Sequence, residues 1–117
     1  MNNLEQSGEA PRNPEVNMEK MRSIISRAPE LIEDEMNRGT GNPWFACVDT
    51  QLQSLMFLVG FAQKDGELDI ERAEILTEKI RTLSEETREL QRKYPTRDDE
   101  VPEELKQSIY QKINILE

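Results

Sequence analysis

NPWFACVDTQLQSLMFLVGFA, residues 42–62, is the stretch whose reading decides the fold. It holds the only Trp and all three Phe of the chain: Trp44, Phe45, Phe57 and Phe61. Val48, Leu52, Leu55, Met56 and Val59 recur at helical spacing, which predicts a single helix. Pro43 fits the first helical position, where a missing N–H is no loss, and Asn42 fits the N-cap. Apolar residues cover most of the circumference, so the helix is expected to be buried by other helices. Asp49, Thr50, Gln51, Gln53 and Ser54 break the run too early for a membrane span.

The segments on either side are amphipathic and charged. In residues 14–38, Met21, Ile24, Ile25, Ala28, Leu31, Ile32 and Met36 fall on one face. Pro29 interrupts this region, and proline in a helix interior costs about 3 kcal/mol. The apolar phase is nevertheless the same before and after it. Two outcomes are open: a kinked helix, or two helices meeting near Ala28 with Pro29 at the start of the second. Glu30, Glu33, Asp34 and Glu35 crowd the turns that follow, and acids favour a helix N-terminus. Gly39 is the expected C-cap. Beyond the central helix, residues 64–66 make a tight connection and Asp69 is the N-cap of the next helix. Ala73, Leu76, Ile80, Leu83, Thr87, Leu90 and Tyr94 form a heptad-like stripe, on a helix expected to run to about Lys93, stopped by Pro95. Residues 95–101 are an acidic loop. Pro102 then opens a last helix bearing Leu105, Ile109, Tyr110, Ile113 and Leu116. Residues 1–13 are polar and aperiodic, and are expected to be a disordered tail. No strand pattern or internal repeat occurs. The expected fold is all-α: residues 14–117 as one domain, an antiparallel bundle of four to five helices.

Composition fits that architecture. At 117 residues, with 35% hydrophobic and 33% charged content, the chain suits a slim bundle with wide solvated faces. A net charge of −9 argues against nucleic-acid binding, which needs clustered Lys and Arg. It suits a basic protein partner, or solubility alone. The single cysteine, Cys47, excludes an internal disulfide, and its apolar helix makes it a small core residue. Histidine, the commonest general base, is absent. No secretory signal is visible at the N-terminus, so a cytoplasmic location is expected.

No catalytic constellation stands out. The carboxylate neighbours Glu33 and Asp34, Glu85 and Glu86, and Glu103 and Glu104 splay apart on a helix. Residues 65–69, DGELD, resemble a calcium loop and fail its test. With Gly66 at the invariant glycine, the first ligand would be Phe61 and the last Arg72. There is no phosphate-binding glycine loop and no nucleophile elbow. We therefore expect no enzyme activity, no cofactor and no metal. More informative are three acidic stretches. Residues 30–36 hold four acids and no base, residues 65–78 six acids and one base, and residues 97–104 five acids and one base. Each lies near a helix start, so they serve helix dipoles, a cationic partner, or both. Trp44, at an element's edge, reads first as a core plug and second as an interface anchor. The candidate partner-binding residues are Glu30, Glu33, Asp34, Glu35, Trp44, Asp49, Asp98, Asp99 and Glu100.

Three features carry a family resemblance. They are the amphipathic opening from Ile25-Ser26-Arg27-Ala28 to Met36, the Gln51-Leu52-Gln53-Ser54-Leu55 segment, and the acidic connection before Pro102-Glu103-Glu104-Leu105 with Tyr110 beyond. On these the chain resembles the small all-helical immunity proteins of bacterial type VI secretion, of the Tsi type paired with an NAD(P)-degrading effector. The resemblance covers residues 24–113; the N-terminal tail and the length of the helix over residues 69–94 depart from it. It implies a non-catalytic cytoplasmic inhibitor that covers the active site of a secreted toxin in interbacterial competition. It transfers no individual contact residue. The rival expectation is an acidic effector chaperone or adaptor, which would bind an export segment rather than a folded toxin. Weak self-association through the stripe of residues 73–94 is a third. Nucleic acid and membrane are not expected partners.

Overall fold

A computed structural model describes residues 15–39, 41–96 and 98–116. The expected tail over residues 1–13 lies outside them. The described residues form five helices and no strand: α1 (Val16–Ser26), α2 (Ala28–Asn37), α3 (Trp44–Lys64), α4 (Ile70–Gln91) and α5 (Glu103–Asn114). The all-α expectation therefore holds.

Pro29 divides the first helical region rather than merely kinking it. Arg27 is at once the C-cap of α1 and the N-cap of α2, with φ −103° and ψ 10°, and Pro29 sits in the first turn of α2. There its missing donor is one of the groups a helix start leaves unpaired anyway. The Arg27 and Leu31 amides still reach back four residues, to Ser23 and Arg27 carbonyls at 2.9 Å each. The two helices thus form one broken column, with Met21, Ile25, Ala28 and Ile32 all buried.

The central helix starts one step later than its sequence signals suggest. Pro43 is the N-cap, with φ −67° and ψ 162°, and Trp44 is the first helical residue. The Asn42 amide is turned toward Glu35 instead of capping. At the other end the Glu67 N–H reaches the Ala62 carbonyl (2.8 Å) and the Gly66 N–H the Gln63 carbonyl (3.2 Å). This is a Schellman closure, and Gly66 at φ 81° supplies the left-handed residue it requires. Asp69 caps α4 as expected, accepting the Arg72 amide at 2.8 Å.

α3 packs against α4 on one side and against α1 and α2 on the other, while α5 lies on α1 and α2. Asp49 near the start of α3 meets Ser84 near the end of α4, so those two run antiparallel. The stripe of α4 is turned inward, with Ala73, Leu76, Ile80, Leu83 and Thr87 buried and Leu90 and Tyr94 packed beside the core. It is therefore a seam within the bundle. The Thr87 hydroxyl, fully buried, donates to the Leu83 carbonyl at 2.7 Å, which removes the cost of an unpaired polar group. Glu86 of α4 pairs with Lys112 of α5. One core joins the elements, and Leu68, Val101 and Leu116 close it from the connections and the C-terminal end.

One expectation about α3 needs correction. By length and composition it is apolar enough to cross a membrane, and it serves as the core helix of the bundle. Its burial is nonetheless one-sided. Val48, Leu52, Leu55, Val59 and Ala62 are inside, whereas Phe57 is 67% and Phe61 53% exposed. Neighbours cover only part of its circumference, so apolarity all round does not here mean burial all round.

Candidate functional site

The start of α3, the end of α2 and the beginning of α5 meet at one end of the bundle. Trp44 is fixed there because it opens the core helix: it is 3% exposed and packs edge-on against Phe45, with ring centroids 5.0 Å apart, and against Tyr110 at 5.8 Å. Phe45 continues the aromatic cluster to Tyr94. Above the indole lies an open depression lined by Glu33, Met36, Asn37, Trp44, Asp98 and Lys106. The Lys106 ammonium stands 5.7 Å from the centre of the indole ring, within range of a cation–π contact.

The electrostatics of this end are acidic. Neither Glu33 nor Asp98 has a hydrogen bond or ion pair with another described residue. Tyr110 feels the consequence: burial raises its hydroxyl pKa, and the charges of Glu33 and Glu103 raise it further, against a small opposing pull from Trp44. That pull falls short of a formed hydrogen bond, and the buried indole N–H has no partner in bonding geometry. Among the described residues, no group of three or more Cys, Asp or Glu side chains converges to hold a metal ion.

The residues singled out from the sequence divide into groups. Glu33, Trp44 and Asp98 come together around the depression. Asp34 and Glu100 are exposed. Glu30 is paired with Arg27 at 3.1 Å, an exposed pair of little weight. Glu35 is turned to Asn42 at 3.4 Å. Asp99 closes its own turn, accepting the Thr96 amide at 2.8 Å. Asp49 is an internal tie: half-buried, it accepts the Ser84 hydroxyl at 2.6 Å and faces Arg88 at 3.5 Å. Trp44 occupies the floor of the depression, in its core role, rather than its rim.

Sequence reasoning did not place Lys106, Met36 or Asn37 at the site; Met36 was read only as part of an apolar face. Lys106 stands four residues before Tyr110, on one face of α5, and that spacing was the available signal. A second, more apolar groove lies between α4 and α5, lined by Leu83, Ile115 and Leu116 with Lys79 and Lys112 at its edge. It contains none of the candidate partner-binding residues. In comparisons with known proteins, no family model, curated protein or solved structure matches this chain.

Proposed function

We propose that this protein is an immunity protein: a cytoplasmic, non-catalytic inhibitor that binds a secreted bacterial toxin and covers its active site. The observation that carries this reading is the acidic end of the bundle. Glu33 and Asp98 are engaged by no described residue and stand over an aromatic floor, with Glu103 near the same Tyr110, in a chain of net charge −9. Unpaired surface acids of one sign steer a basic partner and speed its encounter. The resemblance in residues 24–113 supplies the partner's class, an NAD(P)-degrading effector of a type VI system.

The test is co-expression with the product of the adjacent gene, scored for toxicity of that product alone, for rescue of growth and for co-purification. Association kinetics with the folded toxin domain should show a rate that falls as salt rises. Binding to an isolated export segment, with none to the folded toxin domain, would replace this reading with that of an effector chaperone.

A further inference from the structure

The outward face of α3 is unlike the rest of the surface. Between residues 39 and 63 the only charged residue is Asp49, in a chain that is 33% charged. Asp49 is held between α3 and α4 by Ser84 and Arg88. Outward on this side are the exposed Thr50, Phe57, Gly60 and Phe61 and the half-buried Ala46, Gln53 and Ser54, with Lys64 at the end of the helix. The two hydroxyls of this strip are already satisfied: Thr50 donates to the Ala46 carbonyl at 3.0 Å and Ser54 to the Thr50 carbonyl at 3.2 Å. Covering these two hydroxyls therefore strands neither donor, which lowers the penalty for burying them. Phe57 and Phe61, four residues apart, are neighbours on one side of the helix.

We propose that this face binds a second copy of the chain, α3 against α3 about a two-fold axis near Ser54. The strip is small in its first half, at Ala46, Thr50 and Ser54, and large in its second, at Phe57 and Phe61. A two-fold axis makes the helices antiparallel and sets each copy's large half on the other's small half, Phe57 over Thr50 and Phe61 over Ala46. A self-complementary patch is what an isologous interface requires. The alternative occupant, a lipid surface, is disfavoured because cellular membranes carry negative charge and so does this protein. Two copies repel each other for the same reason, but from Thr50 to Phe61 the strip itself carries no charge, and the nearest charges are Lys64 beyond Phe61 and Arg88 and Arg92 beside Ala46. Salt screens the distant repulsion and leaves the apolar contact intact, so the dimer strengthens as salt rises. That is the reverse of the salt dependence expected for a basic toxin, so the two interactions are separable in one experiment. The patch is narrow against the roughly 1,600 Å² of a standard interface, and the dimer is accordingly weak.

Sedimentation equilibrium of the full chain, at low salt and at about 0.5 M salt, tests this. The expected result is a concentration-dependent dimer that is tighter at high salt. Phe57→Glu with Phe61→Glu should weaken it about tenfold or more, with an unchanged circular dichroism spectrum, because both side chains are exposed. Phe57→Glu and Thr50→Lys, each weakened alone, should pair when mixed, since the two-fold axis puts those positions opposite one another. A chain monomeric at both salts overturns the proposal, as does a dimer indifferent to the Phe changes or a folded mixture that fails to pair. Binding to neutral lipid vesicles, lost in the double Phe variant and without a protein dimer, overturns it in favour of a lipid-facing surface.

Discussion

Two acidic regions of this bundle read alike in sequence and do opposite things. At the α3–α4 turn, Asp65, Glu67 and Asp69 are all engaged. Glu67 accepts the Met18 amide at 2.9 Å, the Asn17 side chain at 2.6 Å and the Asn17 amide at 3.3 Å; Asp65 accepts Asn17 at 2.9 Å; Asp69 caps α4. At the far end of the bundle Glu33 and Asp98 are engaged by no described residue, above Trp44. An acid near a helix start is thus no guide to its duty. The first group holds the fold together because Asn17, about fifty positions away in the chain, is brought to it. The second is left facing solvent because α5 delivers Lys106 to the indole ring rather than to a carboxylate.

The scale for breaking this contrast is set by the core between the two regions. Leu83→Asp buries an unpaired charge in the α3–α4 seam and should unfold the monomer outright, read by circular dichroism. A variant that stays folded and only changes its association state would mean that the α4 stripe faces outward. Next comes Trp44→Ala. Because Trp44 is 3% exposed, the change should cost about 3–5 kcal/mol in urea unfolding; a loss below about 1 kcal/mol would show that the indole is a surface anchor.

Glu67→Gln should cost about 1–2 kcal/mol, since it weakens the hydrogen bonds that cap α1. Burial works to raise the Glu67 pKa, but the Met18 and Asn17 bonds outweigh it, and the pKa lies below the usual 4.5. A depressed acid stabilises fully above its unfolded pKa and loses that contribution as pH falls through its folded one. The gap between wild type and Glu67→Gln should therefore be full at pH 7 and close below about pH 4; a gap independent of pH would remove the carboxylate from the account. Smallest in stability, and most telling for function, is Glu33→Lys with Asp98→Lys. It should shift unfolding by no more than about 0.5 kcal/mol and, on the proposed function, slow association with a toxin domain and flatten its salt dependence. A large stability loss would mean that these acids too belong to the fold.

Much of the fold was legible because the apolar phase states it directly. Ile25, Ile32, Leu52, Ile80 and Ile109 were readable as core from spacing alone, and all are buried. Asp69 was legible as a cap because the partner it needs is three residues away. Where a partner is remote, the sequence is silent. Asn17 is nearly buried and satisfied by two carboxylates of the α3–α4 turn, and nothing local to Asn17 announces it. Asp49 read as a surface acid because its contact, Ser84, lies on another helix. The acidic depression was half legible: the charges of Glu33 and Asp98 could be read, but not that α2 and the loop after α4 carry them to the same indole. The openness of Phe57 and Phe61 was hidden for a related reason, since apolarity does not say how many neighbours a helix will have.

The Glu67 clasp also bears on the order in which the chain assembles. α1 has no side-chain cap of its own at Glu15, so its exposed amides wait for a carboxylate that lies beyond the whole of α3. A short helix without a local start is a poor nucleus, whereas α3 and α4 are long, adjacent and joined by a turn that closes on itself. The α3–α4 hairpin is then the first piece able to persist, and α1 joins a surface already made. In kinetic terms the clasp belongs after the barrier. Loosening it should hasten unfolding and leave the refolding rate nearly untouched in a denaturant chevron. During synthesis on the ribosome, α1 emerges before α3 and α4 and settles after them.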